Sequence, residues 1–423
     1  MPVLGTMGAM SARGFGALAS LGGGYWIGTL AGVNTDLGRA IALDQFGNVF
    51  IGGTSEFSGA GRDFEIAKYN TFGAIEWQRR LGGTNDQDLY SLATDSSGNV
   101  YACGDDRTTN DIQIAKYNST GVIQWQRQLA GSFDSARGIA VDSSANVYIC
   151  GDSNNSGVSD FQVAKYNTSG VIQWQRRLSD GVYAYAKGVA VDASGNVYVC
   201  GRSTNASNYG FQLVKYNTSG VIQWQRALDT IGAGGIALDS SANIYVCSID
   251  SNSYVSKYDT NGVIQWQRRI NSNFSTSIAV DLSGNVYVCG YIFPSLPDLT
   301  LVKYNTSGVI QWQRSLYSSF SDEGYSVKTD ASGNVYVCGD TYSGGVGNSY
   351  NLLFAKLPAD GSKTGTYTVG GVSFTYAASS LTETSTSFAN AASTLTDSAS
   401  TLTDSASTLT DAATTLTSSV TQI

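Results

Sequence analysis

The sequence predicts an all-β chain, a seven-bladed β-propeller closed by an N-terminal strand, followed by an α-helical heptad-repeat tail that forms a coiled coil. Three observations lead to this prediction. A unit of about 49 residues recurs along most of the chain, one element of the last unit is displaced to the front, and a second repeat of period seven fills the C-terminus. Repeats of roughly 20–50 residues are typical of propellers and solenoids.

The composition agrees with short strands joined by tight turns. Of 423 residues 42% are hydrophobic, 49 are glycine and only 4 are proline, while 14% are charged, against about 25% in typical soluble domains. The net charge of −8 argues against nucleic acid or an anionic membrane as partner, because phosphate binding needs clustered Lys and Arg. No apolar run is long enough for a transmembrane helix, and the N-terminus does not resemble a secretory signal.

The chain contains no histidine. Histidine is the most frequent general base and the most frequent metal ligand, so its absence lowers the prior for catalysis and for a metal site. We therefore predict a protein that is not an enzyme, with no catalytic residue, no metal and no cofactor.

Each unit predicts four strands, which the third full unit illustrates with residues 188–192, 196–200, 211–217 and 221–228. Apolar side chains occupy both faces of these strands, as expected for a sheet that is covered on both sides. Asp/Asn and Gly mark the tight turns between the first and second and between the third and fourth strands. A β-solenoid would use shorter coils, and helical or leucine-rich repeats do not fit the strand composition.

The count of tryptophans predicts how the ring closes. The final unit contains Lys356 but no Trp after it, whereas Trp26 lies one repeat period before Trp77. The chain therefore begins with the outer strand of the last blade, and Trp anchors the packing of every blade. These structural residues are Trp26, Trp77, Trp125, Trp174, Trp224, Trp266 and Trp312.

The tail has a regular apolar pattern. A Leu series of period seven interleaves at spacings of 3 and 4 with a second, mostly Ala series, as in the a and d positions of a coiled coil. The oligomerisation residues predicted from the first series are Leu395, Leu402, Leu409 and Leu416. Ser, Thr and Asp disfavour an isolated helix, so the helix needs partners, either copies of itself in a homo-oligomer or another subunit. A disordered Ser/Thr-rich tail is the alternative.

Four segments follow from these patterns. Residues 1–24 form a Gly-rich anchor, 25–362 the propeller, 363–377 a β-hairpin connector with a Gly-Gly turn, and 378–423 the helical tail.

The residues that repeat once per unit have structural interpretations. The six cysteines occupy one repeat position, point in equivalent directions and are predicted to be free buried thiols. The repeated Asp bonds turn N–H groups, since its spacing lacks the acidic density of a calcium loop. The repeated Lys and Arg snorkel or form blade-to-blade ion pairs with Asp.

The connections divide into two sets. The first-to-second and third-to-fourth turns are nearly constant, whereas the second-to-third loops and the blade connections vary and are rich in Tyr, Phe, Ser and Asn. One face of the disc is therefore diversified, which suits glycans or protein surfaces, although loop drift without a ligand would give the same pattern. The candidate binding residues on this face are Tyr183, Tyr185, Tyr209, Tyr291, Phe293, Tyr317, Phe320 and Tyr342.

The repeat D-x-S-G-N-V-Y-V-x-G … K-Y-[ND]-x-x-G-x-x-x-W is similar to the bacterial SBBP-type seven-bladed propeller repeats, over residues 25 to about 360. The termini, MPVLGTMGAMSARGFG and LPADGSKTGTYTVGGVSFTYAASSLT with its TLTDSAS repeats, resemble those of tail or fibre-like virion proteins of marine bacteriophages.

This second resemblance implies a non-enzymatic virion protein, a tail fibre or appendage, that is assembled in the host cytoplasm. Its partners would be other virion proteins and a host-surface glycan or protein. The alternatives are a head-attached decoration protein, a polysaccharide depolymerase, or a bacterial surface filament protein. A depolymerase needs paired carboxylates, and Asp180, Asp298 and Glu323 show no pairing in the sequence.

Overall fold

The computed structural model of the protein describes residues 24–422, except 32–34, 58–60, 131–134, 156–157, 180–182, 206–207, 229–231, 249–251, 272, 294, 344–348, 380, 386–389, 392–395, 400–402, 406–409 and 414–416. All regular secondary-structure elements among these residues are β-strands, which turns and loops connect. The predicted N-terminal anchor, apart from its last residue, lies outside the described residues. None of the described segments is a helix long and apolar enough to cross a membrane.

The strands follow the chain in units of four. The described chain opens with β1 (Trp26–Ala31). Blade 1 contains β2 (Asp36–Leu43), β3 (Val49–Phe57), β4 (Gly61–Tyr69) and β5 (Ile75–Gly82); blade 2 contains β6 (Gln87–Thr94), β7 (Val100–Asp106), β8 (Asp111–Tyr117) and β9 (Ile123–Ala130). Blade 3 contains β10 (Ser135–Val141), β11 (Val147–Asn155), β12 (Val158–Tyr166) and β13 (Ile172–Ser179); blade 4 contains β14 (Tyr183–Val191), β15 (Val197–Asn205), β16 (Asn208–Tyr216) and β17 (Ile222–Leu228).

The remaining blades repeat this order. Blade 5 contains β18 (Ala233–Leu238), β19 (Ile244–Ser248), β20 (Asn252–Tyr258) and β21 (Ile264–Asn271); blade 6 contains β22 (Asn273–Val280), β23 (Val286–Ile292), β24 (Asp298–Tyr304) and β25 (Ile310–Tyr317). Blade 7 contains β26 (Asp322–Thr329), β27 (Val335–Ser343) and β28 (Ser349–Leu357), and β1 is its fourth strand. The last strands are β29 (Gly365–Val369), β30 (Val372–Ala378), β31 (Glu383–Ser385), β32 (Asn390–Ala391), β33 (Thr396–Ala399), β34 (Thr403–Ser405), β35 (Thr410–Ala413) and β36 (Thr417–Gln422).

The ring closes through the N-terminal strand. β1 pairs antiparallel with β28, and Trp26 lies opposite Lys356 just as Trp77 lies opposite Lys68 in blade 1. The displaced tryptophan thus occupies the position that the last unit lacks, which confirms the predicted closure. Blades 3 and 4 are joined by one parallel bridge, Ser159 to Tyr183, so their strands form a single sheet.

The core lies between the blades. In the layer between blades 4 and 5, Tyr198 and Cys200 pack against Ile244 and Val246, and comparable clusters fill the other gaps. The six cysteines are free and buried in these layers, as predicted. Burial raises the pKa of the Cys247 thiol to about 12, so these side chains behave as small apolar groups.

The repeated Asp organises the turn between the first two strands. Asp192 Oδ1 accepts the N–H groups of Ser194 and Asn196, each at 2.9 Å, and Oδ2 accepts Asn196 Nδ2 at 2.8 Å and Tyr198 Oη at 3.1 Å. The same pattern recurs in the other blades, with the Tyr bond described in six of the seven. This confirms the interpretation of the repeated Asp as a turn residue.

The repeated Trp, Arg and Lys reach from one blade to the third-to-fourth turn of the next. Trp174 Nε1 donates to the carbonyl of Thr218 at 3.2 Å, and Arg176 Nε donates to the carbonyl of Gly220 at 2.6 Å. Lys165 Nζ reaches the carbonyl of Thr218 at 3.5 Å. The predicted ion pairing with Asp is therefore wrong as the general rule. The repeated cations donate instead to backbone carbonyls, which would otherwise lack hydrogen-bond partners. Lys116, which lies 3.9 Å from Asp95 of its own blade, is an exception.

The glycine of this turn is required by the tryptophan. Gly220 has φ +74°, and a Cβ on it would lie 2.8 Å from the Trp174 ring. In the first-to-second turns, by contrast, Ala145 and Ala242 adopt φ of 58° and 59° in place of the usual glycine. The chain thus tolerates a left-handed alanine where space allows it.

We expect Gly220→Ala to destabilise the protein more than Gly371→Ala. Gly371 has φ +88° but nothing within 4 Å of a Cβ, so its replacement adds only backbone strain of about 1 kcal/mol. Gly220→Ala adds overpacking against Trp174, commonly about 1–3 kcal/mol more. Urea unfolding of both variants measures the difference, and equal losses would contradict this role of the tryptophan.

The C-terminal tail is not the predicted helical coiled coil. The hairpin β29–β30 turns at Gly370 and Gly371, and β30 pairs antiparallel with β25 of blade 6. The described strands that follow add a fifth strand to one blade after another: β31 on β21, β32 on β17, β33 on β13, β34 on β9, β35 on β5 and β36 on β1. The tail therefore circles the propeller against the order of the blades.

The period of seven reflects one heptad per blade. Where it is described, the mostly Ala series of the tail lies opposite the Arg of the QWQR motif or its equivalent. The pairs are Arg314–Ala378, Arg268–Ser385, Arg176–Ala399, Arg79–Ala413 and Gly28–Val420. Seven extended residues span at most about 25 Å, which serves to step from one outer edge to the next. Pairing also satisfies the free N–H and C=O groups of each outer strand, which an isolated edge exposes.

The expected homo-oligomer depended on a free tail helix, and the described tail strands pair with blades of their own chain instead. Leu395, Leu402, Leu409 and Leu416 lie outside the described residues. In the same series, Leu381 is described, and it packs against the core layer between blades 5 and 6.

Candidate functional site

The two faces of the disc carry different side chains and loops, as the sequence predicts. The constant face bears the Asp/Gly and Asn/Gly turns, and its exposed apolar side chains recur singly, for example Phe46 and Val221 at 61% and 52% exposure. Single exposed apolar residues are ordinary on a protein surface. The variable face bears the second-to-third loops and the blade connections, and it surrounds one mouth of the axial channel.

A β-bulge interrupts every innermost strand at the same place. The register between first and second strands shifts around one residue in each blade. A bulge adds a residue to one strand and redirects its side chain. The seven bulge residues, here called the channel ring, are Arg39, Tyr90, Arg137, Lys187, Gly234, Thr276 and Tyr325, and all seven line a cavity of about 380 Å³ in the axial channel.

The charged and aromatic side chains of the channel ring are confined to five consecutive blades. Gly234 contributes no side chain, and Thr276 Oγ1 donates to the carbonyl of Gly324 in the next blade at 2.7 Å. The ring is therefore asymmetric: three cations and two phenols on blades 7, 1, 2, 3 and 4 face the backbone of blades 5 and 6.

Two of the three cations are neutralised. Arg39 lies 3.4 Å from Asp340 and 4.3 Å above the ring centre of Tyr325. Arg137 lies 3.6 Å from Asp152 and 4.5 Å above the ring of Tyr90. Each guanidinium thus has a carboxylate on one side and an aromatic face on another, an arrangement that fixes its position.

Lys187 differs from both arginines. It forms no ion pair and no hydrogen bond with the described residues, and its side chain is exposed to the lumen. Enclosure by the channel walls and the charge of Arg137 lower the pKa of Lys187 to about 8, so its ammonium is mostly protonated at neutral pH. Lys187 is therefore a positive charge with no ion pair among the described residues, and the charge of Asp152 acts on it only at longer range.

A second lysine lies deeper in the channel. Lys328 lines the same cavity and replaces the Ala that the other inner strands hold at this position, such as Ala140 and Ala190. It also has no ion pair with the described residues, and burial lowers its pKa. The channel therefore contains two lysines that form no ion pair with the described residues, in a chain of net charge −8.

An aromatic cluster on blade 6 adjoins the channel ring. Phe274 stacks on Tyr291 with ring centres 5.3 Å apart, and Phe293, which is 56% exposed, meets both rings edge-on at 5.6 Å. Tyr291 also lies 6.3 Å from Tyr325 of the ring. Aromatic contacts thus run from the exposed rim at Phe293 to the mouth of the channel.

Blade 4 carries a second aromatic pair. Tyr183 and Tyr185 stack nearly parallel, at 6.4 Å and 9°, and Arg202 lies 5.0 Å from the ring centre of Tyr185. Tyr183, Tyr185 and Lys187 alternate along β14, so this pair and the lysine belong to one strand.

The other predicted face residues are dispersed. Phe320 and Tyr342 contact each other at 6.2 Å on blade 7, away from the cavity lining. Tyr317 is half-buried at the end of β25, and the side chain of Tyr209 lies outside the described residues. None of the seven predicted residues whose side chains are described lines the cavity, although Tyr291 lies next to Tyr325, which does.

The sequence analysis missed the channel ring. The inner strands are nearly constant, as in GIAVD, GVAVD and GIALD, and the residue just before this motif is Arg137, Lys187 or Gly234. This variable residue within a constant strand was the available signal. Strand alternation alone does not show that this residue faces the lumen, because the bulge inserts an extra residue and shifts which side chains lie on each face of the strand.

The carboxylates considered for catalysis do not assemble a described acid–base pair. Glu323 accepts a hydrogen bond from the Tyr325 hydroxyl, burial raises the pKa of Asp298, and Asp180 lies outside the described residues. Among the described residues no group of three or more His, Cys, Asp or Glu side chains is placed to hold a metal.

Two family models match the sequence. The SBBP beta-propeller repeat matches residues 76–105 and 124–157, and the outer membrane protein assembly factor BamB model matches residues 159–348. No characterised protein in the curated comparison matches the sequence.

Solved structures resemble the chain at low identity. Sqt1 from Chaetomium thermophilum is 12% identical with a TM-score of 0.47, over 82% of this chain and 97% of that one. The β-propeller domain of the Trilobed protease from Pyrococcus furiosus, described as having an open velcro topology, is 9% identical with a TM-score of 0.48, over 76% and 93%. A protein of unknown function from Bacteroides caccae is 14% identical with a TM-score of 0.43, over 60% and 91%. The seven blades and the two family matches together identify the chain as a β-propeller protein that contains SBBP-type repeats.

Proposed function

We propose that this chain is a non-enzymatic virion protein of a bacteriophage, a tail fibre or similar appendage, whose propeller contacts the host surface through its variable face. The observation that supports the proposal most is the contrast between the faces. One face repeats the same turns, whereas the other concentrates aromatic side chains around a charged channel mouth. Tyr and Arg are enriched at recognition surfaces, and loops on a rigid scaffold commonly provide them.

The resemblance of the two termini to virion proteins supplies the biological setting. Other virion proteins would hold the appendage on the particle, and a host-surface glycan or protein would be its ligand. Several copies on one particle would raise the avidity of individually weak contacts.

Immunogold labelling tests the setting. Antibodies against residues 25–362 should label particles purified from a culture that produces the protein, at an appendage rather than uniformly over the capsid. Uniform capsid labelling would favour a head decoration protein, and unlabelled particles would overturn the virion assignment.

Substitutions on opposite faces test the role of the variable face. We expect Phe293→Ser to weaken binding of fluorescently labelled propeller to host cells at least fivefold, because it removes an exposed ring from the aromatic cluster. Phe46→Ser is the matched control, since Phe46 is exposed to a similar extent, 61% against 56%, on the constant face. Flow cytometry measures both, and equal losses would contradict recognition through the variable face.

A further inference from the structure

The channel mouth of this acidic protein contains a lysine that forms no ion pair with the described residues. Of the three cations in the channel ring, Arg39 and Arg137 have carboxylates at 3.4 and 3.6 Å, while Lys187 has no carboxylate within ion-pair distance among the described residues. Asp152, which pairs with Arg137, attracts Lys187 only from further away. Arg39 and Arg137 also lie over aromatic rings, whereas no cation–π contact is described for Lys187. A lysine held in a channel wall without a counter-ion is unfavourable unless a ligand or solvent compensates it.

The neighbouring arginines are pre-positioned rather than free. Asp340 and Tyr325 hold Arg39, and Asp152 and Tyr90 hold Arg137. A guanidinium held by one carboxylate still presents N–H groups on its other edge, because it has five donors. An anion near Lys187 would therefore meet a charge that is unpaired and donors that are already oriented.

The size and surroundings of the cavity favour one small polar ring. A volume of about 380 Å³ lies at the lower end of ordinary ligand sites, about 300–1,000 Å³. Two phenols of the ring line it, and the stacked pair Tyr183–Tyr185 and the cluster at Tyr291 lie beside it. Aromatic faces pack against the C–H faces of pyranose rings, while the phenol hydroxyls bond sugar hydroxyls.

We propose that the mouth of the axial channel binds an acidic sugar residue of a polysaccharide, with its anionic group at Lys187 and Arg137 and the neighbouring sugar units across the aromatic side chains. This inference rests on the proposed function, since it names the ligand class of the same face.

Binding of defined polysaccharides to the full chain tests the assignment. Polygalacturonate supplies carboxylates, dextran sulfate supplies sulfates, and dextran supplies neutral sugar. We expect polygalacturonate or dextran sulfate to bind at about 0.1 M salt and dextran to bind at least tenfold more weakly. The member of the acidic pair that binds more tightly identifies the anion, and equal binding of dextran would overturn the inference.

Substitution at the ring provides the residue-level test. Lys187→Met should lower the affinity for the acidic polysaccharide at least tenfold, and Lys187→Arg should retain most of it, since the charge is kept. Lys363→Met, which removes the same charge from the constant-face side, should leave binding unchanged. Thermal unfolding confirms that each variant is folded. Lys187→Met with wild-type affinity would overturn the inference.

Cell binding separates this inference from the proposed function. If the propeller binds host cells and Phe293→Ser weakens that binding, yet Lys187→Met does not, the acidic-sugar assignment fails while the proposed function stands. If no variant or wild-type chain binds cells, both fail.

Discussion

Removal of residues 380–423 is expected to lower the thermal stability of the propeller and to make it associate. The truncation removes β31–β36, which pair with the outer strands of six blades. Each backbone hydrogen bond contributes about 0.5–1.5 kcal/mol net, so the total loss should reach several kcal/mol. The blade cores remain, so the truncated chain should still fold but expose strand edges that pair with other molecules.

Calorimetry and light scattering measure these two effects. The matched control replaces residues 380–423 by a Gly/Ser linker of equal length, which preserves the chain length but not the strand pairing. We expect the control to behave as the truncation does. A full-length chain that is oligomeric and a truncated chain that is monomeric and equally stable would contradict the intramolecular belt.

Trp26→Ala should be the most destabilising of the tryptophan substitutions. Trp26 is fully buried, and its ring meets Tyr336 and Phe354 edge-on at 6.3 and 5.6 Å. Replacing a buried Trp by Ala commonly costs about 3–5 kcal/mol. Because β1 joins the two ends of the ring, removal of the Trp26 side chain should also weaken the pairing of β1 within blade 7.

Trp125→Ala is the matched control, since Trp125 occupies the equivalent position of blade 2 but is only partly buried. Trp125→Ala should lower the stability less, because it removes only the contact with Tyr101 and the hydrogen bond to the carbonyl of Thr168 at 3.1 Å. Denaturant unfolding compares the two, and limited proteolysis should cut the Trp26→Ala variant near β1 first. Equal losses of stability would contradict a special role for the closing strand.

The propeller was predictable because its information is local and repeated. Each unit shows its own turns through residues such as Asp192 and Gly220, and the displaced Trp26 shows how the ring closes. The repeat position of the cysteines also sufficed to predict buried free thiols. The acceptors of the repeated Arg were not predictable, since they are backbone carbonyls of the next blade and leave no trace in the side-chain pattern.

The tail shows why a period alone is ambiguous. A spacing of seven fits the a and d positions of a coiled coil, and it also fits one step between neighbouring blades. The high Ser, Thr and Asp content opposed the helix, but the sequence alone did not show that free strand edges were available as partners. The pairing of Ala399 with Arg176 and of Ala413 with Arg79 shows that the period of seven reflects the step between neighbouring blades.

The sequence by itself determined the all-β class, the number of blades, the closing strand and the division into a constant and a variable face. Only the tertiary structure decided the course of the tail and the identity of the channel ring. Both depend on distances between blades: the edge-to-edge step sets how far each heptad extends, and the ring closure brings Arg39, Arg137 and Lys187 together from units separated by tens of residues. The bulge that turns these side chains into the lumen is a property of the register between the first and second strands of a blade, which the alternation of residues along the sequence does not show.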